Sequence, residues 1–176
     1  TSSAASDVYK RQAEGASALL VFPPNSMSMG GQLRPEMALR HFQMVAEATD
    51  LPLILFQYPQ ATGLGYPFAT MEAIFDEVPS VVAIKDWCND PMLHEKHIRN
   101  FQSRKRPVNV LTTHSSWLIA SLSMGPAGLL SGAGSVIADL QVALFNAIHA
   151  NDLERARQVN DQIFPLAQAF YRAPFL

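Results

Sequence analysis

Five short apolar runs, separated by longer segments with helical periodicity, constrain this chain more than any other feature of its sequence. The runs are Ala18–Phe22, Leu53–Tyr58, Val81–Lys85, Val108–Thr113 and Gly128–Ser131. Most of them are apolar throughout, which is the pattern of strands covered on both faces. Strands that alternate with helices form βα units around a parallel sheet. The sequence therefore predicts an α/β fold with a buried parallel sheet.

Helix start signals lie between the predicted strands. Pro35 and Pro67 stand at positions that favour a first helical turn. Asp90, which precedes a proline, is a good cap for a third helix. Asp152 begins a last helix, which Pro165 is expected to kink or end. These signals predict surface helices that connect the strands.

The number of units constrains the architecture. A complete (β/α)8 barrel, or TIM barrel, needs on the order of 250 residues. This chain has 176 residues and about five βα units followed by C-terminal helices, so an incomplete TIM barrel is expected. A doubly wound open sheet is the rival, because it accommodates five strands without missing ones. The order of elements alone does not separate the two architectures.

The first twelve residues lack the hydrophobic pattern of the rest of the chain. The segment TSSAASDVYKRQ has no hydrophobic period and no apolar stretch of the kind found in a signal peptide. We interpret residues 1–12 as a non-native leader or adapter scar. Residues 13–176 are then the partial barrel domain.

Charge and composition exclude several classes of partner. The formal net charge of −2 and the isoelectric point near 6.2 provide no basic surface for nucleic acid. No apolar run reaches the roughly 20 residues of a membrane-spanning helix. The single cysteine, Cys88, suits a reducing cytoplasm. We expect a cytoplasmic protein that binds a small metabolite.

Lys85 is the most informative residue for function. It ends an apolar run, and strand alternation places it on the face of Val81 and Ala83, which in a barrel points inward at the carboxyl-terminal mouth. Partial desolvation there lowers the pKa of an amine and leaves a neutral nucleophile that can condense with a ketone. The alternative is a lysine that reaches from a strand end into water. The pattern alone leaves both interpretations open.

Three segments in register resemble one known family. The segments GASALLVFPPNSM, EATDLPLILFQYPQATGLGYP and VPSVVAIKDWCND are similar to the dihydrodipicolinate synthase and N-acetylneuraminate lyase family of Schiff-base-forming barrels. The resemblance implies that Lys85 forms the Schiff base and that the fold is a barrel lacking about three N-terminal units. It also implies a 2-oxo acid substrate such as pyruvate or a sugar-acid derivative, no cofactor, and a homo-oligomer, in this family a homotetramer.

Two departures from the family pattern affect catalysis and specificity. Relatives carry a tyrosine that relays protons where this chain has Phe56, and Tyr58 lies two residues further on the same face. Tyr58 either supplies the missing hydroxyl or only packs at the strand end. Dihydrodipicolinate synthases carry a carboxylate-binding arginine where this chain has Ala61, which argues against that particular activity.

Other residues at strand ends are predicted to bind substrate. Thr62 and Gly63 match a turn that shapes the mouth in the family, and His114 follows the fourth predicted strand. Ser131 and Gly132 begin a loop that could present backbone N–H groups to a carboxylate. Structural roles are the alternative for each of them, since polar strand ends and glycine turns are common without ligands.

No metal site is expected. The run His94-Glu95-Lys96-His97 lacks the spacing of the H-E-x-x-H metal motif. We interpret both histidines as part of a solvated helix face. Cys88 has no evident base beside it in the sequence and is expected to be a small buried residue.

The predicted function is a carbon–carbon or carbon–oxygen lyase in which the imine of Lys85 withdraws electrons from the substrate. A barrel that has lost turnover and only binds a small molecule is the first alternative, motivated by Phe56 and Ala61. A nucleotide-binding open sheet is the second. The glycines near Gly132 do not form a dinucleotide-binding fingerprint, which weighs against it.

Overall fold

The structure is a computed structural model that describes residues 15–172, so the predicted leader at residues 1–12 lies outside the described residues. The strands are β1 (Leu19–Val21), β2 (Leu53–Gln57), β3 (Val81–Asp86), β4 (Asn109–Thr112) and β5 (Gly128–Leu129). The α-helices are α1 (Pro35–Glu47), α2 (Phe68–Glu77), α3 (Pro91–Phe101), α4 (Leu118–Ser123), α5 (Gly134–His149) and α6 (Leu153–Phe170). The α/β alternation predicted from the sequence is confirmed.

The strands form one parallel sheet in the order β1-β2-β3-β4-β5. A doubly wound sheet reverses its strand order at a switch point. The described sheet instead adds each new strand beside the preceding one, as a barrel does. The topology therefore decides between the two architectures that the order of elements left open, in favour of the incomplete barrel.

The two faces of the sheet differ in burial. One face packs against α1, α2 and α3 in a core that is almost completely buried. Its strand residues are Leu19, Val21, Leu53, Leu55, Val81, Ile84 and Val110, and Val108, which precedes β4, joins them. The opposite face, which would line the inside of a closed barrel, is only partly covered: Phe22 is 49% exposed and Val82 37%. The expectation that both faces are buried holds only for the helix-covered face within these five strands.

A register shift in β3 corrects one detail of the predicted orientation. Leu53 pairs with Val81, but the next residue, Ile54, pairs with Ala83. The extra residue lets Val81 join the helix-facing core instead of sharing the face of Lys85. Ala83 does share the face of Lys85 as predicted, since the register from Ala83 to Lys85 has no shift.

The helix starts follow the predicted signals. Pro35 is the first residue of α1 and Pro67 directly precedes α2. The Asp90 carboxylate accepts two N–H groups of the first turn of α3, and Asp152 accepts one from the first turn of α6. Each carboxylate satisfies donors that have no partner within the helix.

Two features of the helices differ from the sequence expectations. Of the two effects expected of Pro165, a kink or a helix end, the helix end is wrong, because α6 continues to Phe170. Pro165 and the residue four positions earlier, Asp161, both face solvent, so water can bond the carbonyl that the proline leaves without an N–H partner. The short helix α4 was not predicted. No helix within residues 15–172 is long and apolar enough to cross a membrane.

Glycines hold the loop after β2 in place. Gly63 has a φ of +74°, and a Cβ there would lie 2.7 Å from the carbonyl oxygen of Ser28 in the loop after β1. A Cβ on Gly65 would lie 2.8 Å from the backbone nitrogen of Gln60 and closer still to the carbonyl oxygen of Tyr58. These close approaches fold the loop back on the carboxyl end of β2.

We predict that Gly65→Ala lowers the free energy of unfolding of the whole protein by about 1–3 kcal/mol, because the added methyl group overlaps backbone atoms that cannot move independently. Urea denaturation measures the change. Gly132→Ala is the matched control, since no atom lies within 4 Å of a Cβ there, and it should change stability by less than about 0.5 kcal/mol. Equal stability of the two variants would contradict the predicted packing of this loop.

Candidate active site

Lys85 lies near the carboxyl end of β3 and pairs in register with Phe56 of β2. Its Nζ atom is 4.5 Å from the centre of the Phe56 ring. The side chain is half-buried, and burial lowers the pKa of Lys85 from its ordinary value. An amine in this position has a larger neutral fraction than a solvated lysine, which is the property that a nucleophilic lysine needs.

Four aromatic side chains form a wall beside Lys85. The ring of Phe56 is 4.9 Å from Phe22 and 4.3 Å from Tyr58, and Tyr58 is 5.6 Å from Trp87. The predicted placement of Tyr58 beside Phe56 is therefore observed. Burial raises the pKa of the Tyr58 phenol, which favours the protonated form. A proton-relay role for Tyr58 stays a prediction.

Thr62 and Gly63 have structural roles in the turn after β2. The Thr62 hydroxyl donates to the carbonyl of Pro59 at 2.6 Å and accepts from the N–H of Leu64 at 3.2 Å. Gly63 supplies the left-handed conformation described above. These bonds shape the mouth of the barrel. Direct contact of either residue with a substrate stays a prediction.

The loop after β5 is built differently from the expected carboxylate cradle. The N–H of Ala133 bonds the Ser131 hydroxyl, and the N–H groups of Gly134 and Ser135 bond carbonyls of the same loop. These three N–H groups are already used within the loop, so that part of the cradle expectation is wrong. The Ser131 hydroxyl also bonds Ser115, which joins the loops after β4 and β5. Substrate contact by Ser131 and Gly132 stays a prediction.

His114 is buried at the end of β4, and both of its ring nitrogens have partners. Nδ1 is 3.2 Å from the Thr112 hydroxyl, and Nε2 accepts the N–H of Asn89 at 3.2 Å. The Cys88 sulfur lies 3.9 Å from Nε2, and Trp117 stacks on the ring at 4.1 Å. Burial lowers the pKa of His114 to about 3, so the ring is neutral near pH 7. A substrate at this mouth would meet the ring edge, not a free nitrogen.

A pocket of about 290 Å³ opens beside His114. It is lined by Trp87, Asn89, Thr113, His114, Ser115, Ser116 and Tyr171. Two of these residues follow β3, four follow β4, and Tyr171 comes from the end of α6. The pocket therefore lies at the carboxyl ends of the strands, where barrel enzymes place their active sites.

On the other side of β3, Asp86 anchors a buried polar cluster. Its Oδ2 atom is 2.8 Å from Nδ1 of both His94 and His97, and Oδ1 accepts the N–H of Cys88 at 3.1 Å. Burial alone would raise the pKa of Asp86, but the hydrogen bonds from the two imidazoles outweigh it and hold the pKa well below its usual range. The prediction of a solvated histidine face is wrong, because both rings are completely buried.

The cluster continues from His94 to His114 through two hydroxyl groups. His94 Nε2 is 2.9 Å from the Ser121 hydroxyl. The Ser121 hydroxyl bonds the Thr112 hydroxyl, and the Thr112 hydroxyl bonds Nδ1 of His114. One order of donors satisfies all of these contacts: Nδ1–H of His114 donates to Thr112, Thr112 to Ser121, Ser121 to Nε2 of His94, and Nδ1–H of His94 to the Asp86 carboxylate. The cluster thus connects β3, α3, α4 and the end of β4.

The sequence contained a signal for this cluster that the metal-motif test missed. His94, His97, Ile98 and Phe101 follow the i, i+3, i+4, i+7 spacing of a buried helix face, and all four are buried. Extending the apolar stripe of α3 back by one turn would have identified both histidines as core residues. Burial of Cys88 is confirmed, but His114 beside its sulfur could not be read from the sequence.

Comparison with known proteins identifies the family. The family model described as the dihydrodipicolinate synthetase family matches residues 1–176. A 4-hydroxy-tetrahydrodipicolinate synthase from Methanosarcina mazei is 28% identical over 137 residues, 78% of this chain and 46% of the relative. The enzyme of the same name from Erythrobacter litoralis is 29% identical over 166 residues, 93% of this chain and 53% of the relative.

Solved structures agree with the fold. The dihydrodipicolinate synthase of Bacteroides thetaiotaomicron superimposes with a TM-score of 0.79 at 20% identity, and the match covers 95% of this chain and 54% of that structure. The chain spans about half the length of the relatives that it matches, and its five βα units are part of a TIM barrel, which has eight. The chain belongs to the dihydrodipicolinate synthetase family.

Proposed function

We propose that the whole protein is a lyase that forms an imine between Lys85 and a 2-oxo acid such as pyruvate. The observation that carries this proposal is the half-buried amine of Lys85 beside the Phe56 ring at the carboxyl end of β3. The names of the relatives, 4-hydroxy-tetrahydrodipicolinate synthase and DapA-like lyase, support a lyase. Cytoplasmic location and a homo-oligomer, with the tetramer as the specific form, remain predictions.

The proposed reaction begins when the neutral Nζ attacks the keto carbon of the acid. A C–N bond forms, the carbonyl oxygen accepts one proton from the amine and one from solvent, its bond to carbon breaks, and it leaves as water, so the product is an imine that keeps one proton on nitrogen. Its positive nitrogen accepts electrons when the neighbouring carbon loses a proton or when the next bond breaks, and an enamine results. No metal or organic cofactor takes part in this proposal.

The substrate is proposed to differ from that of the named relatives. Phe56 and Ala61 stand where the resemblance implies a proton-relaying tyrosine and a carboxylate-binding arginine. The aromatic wall of Phe22, Phe56, Tyr58 and Trp87 instead provides a largely apolar surface beside the amine. A barrel that binds a 2-oxo acid without turnover is the alternative that these departures favour, and the two tests below distinguish it from a lyase.

We predict that borohydride treatment of the whole protein with pyruvate attaches the reduced adduct to Lys85, as detected by peptide mass spectrometry. Lys85→Arg should abolish the adduct, because a guanidinium does not act as a nucleophile at neutral pH. Lys96→Arg is the matched control, since Lys96 also lies over an aromatic ring, at 4.1 Å from Phe68, but is exposed on α3. An adduct on another lysine, or none with any 2-oxo acid, would exclude the imine mechanism.

We further predict that Tyr58→Phe slows proton exchange at the methyl group of pyruvate by about 10²–10⁴-fold and leaves imine trapping intact, because one acid–base group is removed. Exchange in heavy water, followed by NMR, needs no knowledge of the second substrate. Phe56→Tyr should change the rate little. Tyr66→Phe is the control, since it removes a buried hydroxyl that lies outside the aromatic wall.

The result separates the interpretations of Tyr58. An unchanged exchange rate in Tyr58→Phe would make Tyr58 a packing residue and assign the relay to water or to the rest of the protein. Trapping without exchange in the unmodified protein would support the binding protein over the lyase.

A further inference from the structure

Four metal-ligating side chains meet in the cluster behind Lys85. They are Asp86 at the end of β3, Cys88 in the following loop, His94 in α3 and His114 after β4. Each is buried, and each offers one ligand atom within 4.8 Å of the ligand atoms of the other three. The proposed imine chemistry uses none of these atoms, so their convergence needs a separate explanation.

The donor set matches the preference of one class of ion. One thiolate, two imidazoles and one carboxylate are ligands that Zn²⁺ takes in tetrahedral sites. Two unit charges, on Asp86 and on the Cys88 thiolate, balance the charge of a divalent ion when both imidazoles are neutral. Burial and the nearby Asp86 charge raise the pKa of the Cys88 thiol, so a bound cation is what would favour the thiolate there.

Three of the four donor side chains are also oriented by outer partners. The Ser121 hydroxyl holds Nε2 of His94, and the Thr112 hydroxyl holds Nδ1 of His114. His97 and the N–H of Cys88 hold the Asp86 carboxylate. Outer partners of this kind orient metal ligands and set the tautomer of ligating histidines. Nδ1 of His94 and Nε2 of His114 point into the cluster, where an ion would replace their present hydrogen bonds to Asp86 and to the N–H of Asn89.

A tetrahedral ion can be held by these four atoms after side-chain shifts of up to about an ångström. Zinc bonds of about 2.0–2.3 Å require ligand atoms roughly 3.3–3.6 Å apart. The sulfur of Cys88 lies 3.9 Å from Nε2 of His114, and Nδ1 of His94 lies 2.8 Å from Oδ2 of Asp86. The first pair must approach by about 0.3 Å and the second must separate by about 0.5 Å, whereas a pair as far apart as the 4.8 Å limit of the cluster must approach by roughly 1.2–1.5 Å.

We propose that Asp86, Cys88, His94 and His114 form a tetrahedral site for one divalent cation of the zinc class. On binding, the Cys88 thiol releases its proton to solvent and the ring proton of His94 moves from Nδ1 to Nε2, where it donates to Ser121. Because all four positions are filled by protein, the site is structural and joins β3, α3 and the end of β4 behind Lys85. The proposal is independent of the imine chemistry.

Cobalt(II) tests the site directly. Whole protein that has been treated with a chelator and reduced should bind one Co²⁺ per chain and show the visible bands of tetrahedral cobalt with a thiolate-to-cobalt charge-transfer band. Zn²⁺ should displace the cobalt and raise the thermal unfolding temperature. Binding well below one ion per chain would overturn the proposal and leave a purely hydrogen-bonded cluster.

Variants assign the ion to these residues. Cys88→Ser should remove the charge-transfer band, and Cys88→Ser and His94→Gln should each weaken binding by more than about 100-fold. Ser121→Ala removes an outer partner and should weaken binding by about 10–100-fold. His149→Gln is the control, because His149 is an exposed histidine on α5, and its spectrum should be unchanged. Full binding in both ligand variants would place the ion elsewhere and overturn the proposal.

If the ligand variants fail to fold, X-ray absorption at the zinc edge of the zinc-loaded, unmodified protein identifies the ligand atoms directly. The expected spectrum has one sulfur at about 2.3 Å and the remaining nitrogen or oxygen ligands at about 2.0–2.2 Å. A spectrum without sulfur would exclude Cys88 as a ligand and overturn the proposal.

Discussion

Strand β3 places an amine and a carboxylate on its opposite faces at consecutive positions, and the rest of the site depends on this alternation. Asp86 faces the helix layer, where two imidazole N–H groups and a backbone N–H hold its charge. Removing a carboxylate from water costs several kcal/mol, which such bonds must offset. Because Asp86 is held on one side, Lys85 must face the mouth on the other.

The two sides of β3 use opposite electrostatic arrangements. Behind the strand, donors surround Asp86 and keep the carboxylate charged. In front of it, the Phe56 ring lies 4.5 Å from the amine of Lys85, and the contacts described for this lysine include no carboxylate, so desolvation disfavours the ammonium form. The backbone of β3 therefore separates a site that stabilises the charged form of Asp86 from one that disfavours the charged form of Lys85.

The sequence predictions succeeded where the signal is local. All five strands were predicted to within two residues at each end, and the caps at Asp90 and Asp152 lie where the sequence placed them. The predictions failed where a residue's environment depends on distant parts of the chain. Pro165 is tolerated inside α6 because it lies on the solvent-exposed face of that helix. His94 and His97 are buried because the Asp86 carboxylate of β3 lies under α3 and bonds both rings.

The sequence by itself determined the βα order, the position of Lys85 at a strand end and the family to which these motifs belong. The order of elements and the position of Lys85 arise from periodicity and spacing, which neighbouring residues set, and the family was inferred from the resemblance of three motifs. Tertiary structure alone decided that the strands wind in one direction and that Cys88 meets His114, 26 positions away in the chain. It also decided which backbone N–H groups of the loop after β5 are bonded within the loop and which could bind a ligand. The physical reason is that side-chain contacts between elements depend on how strands pair and helices pack, and a linear pattern does not specify either.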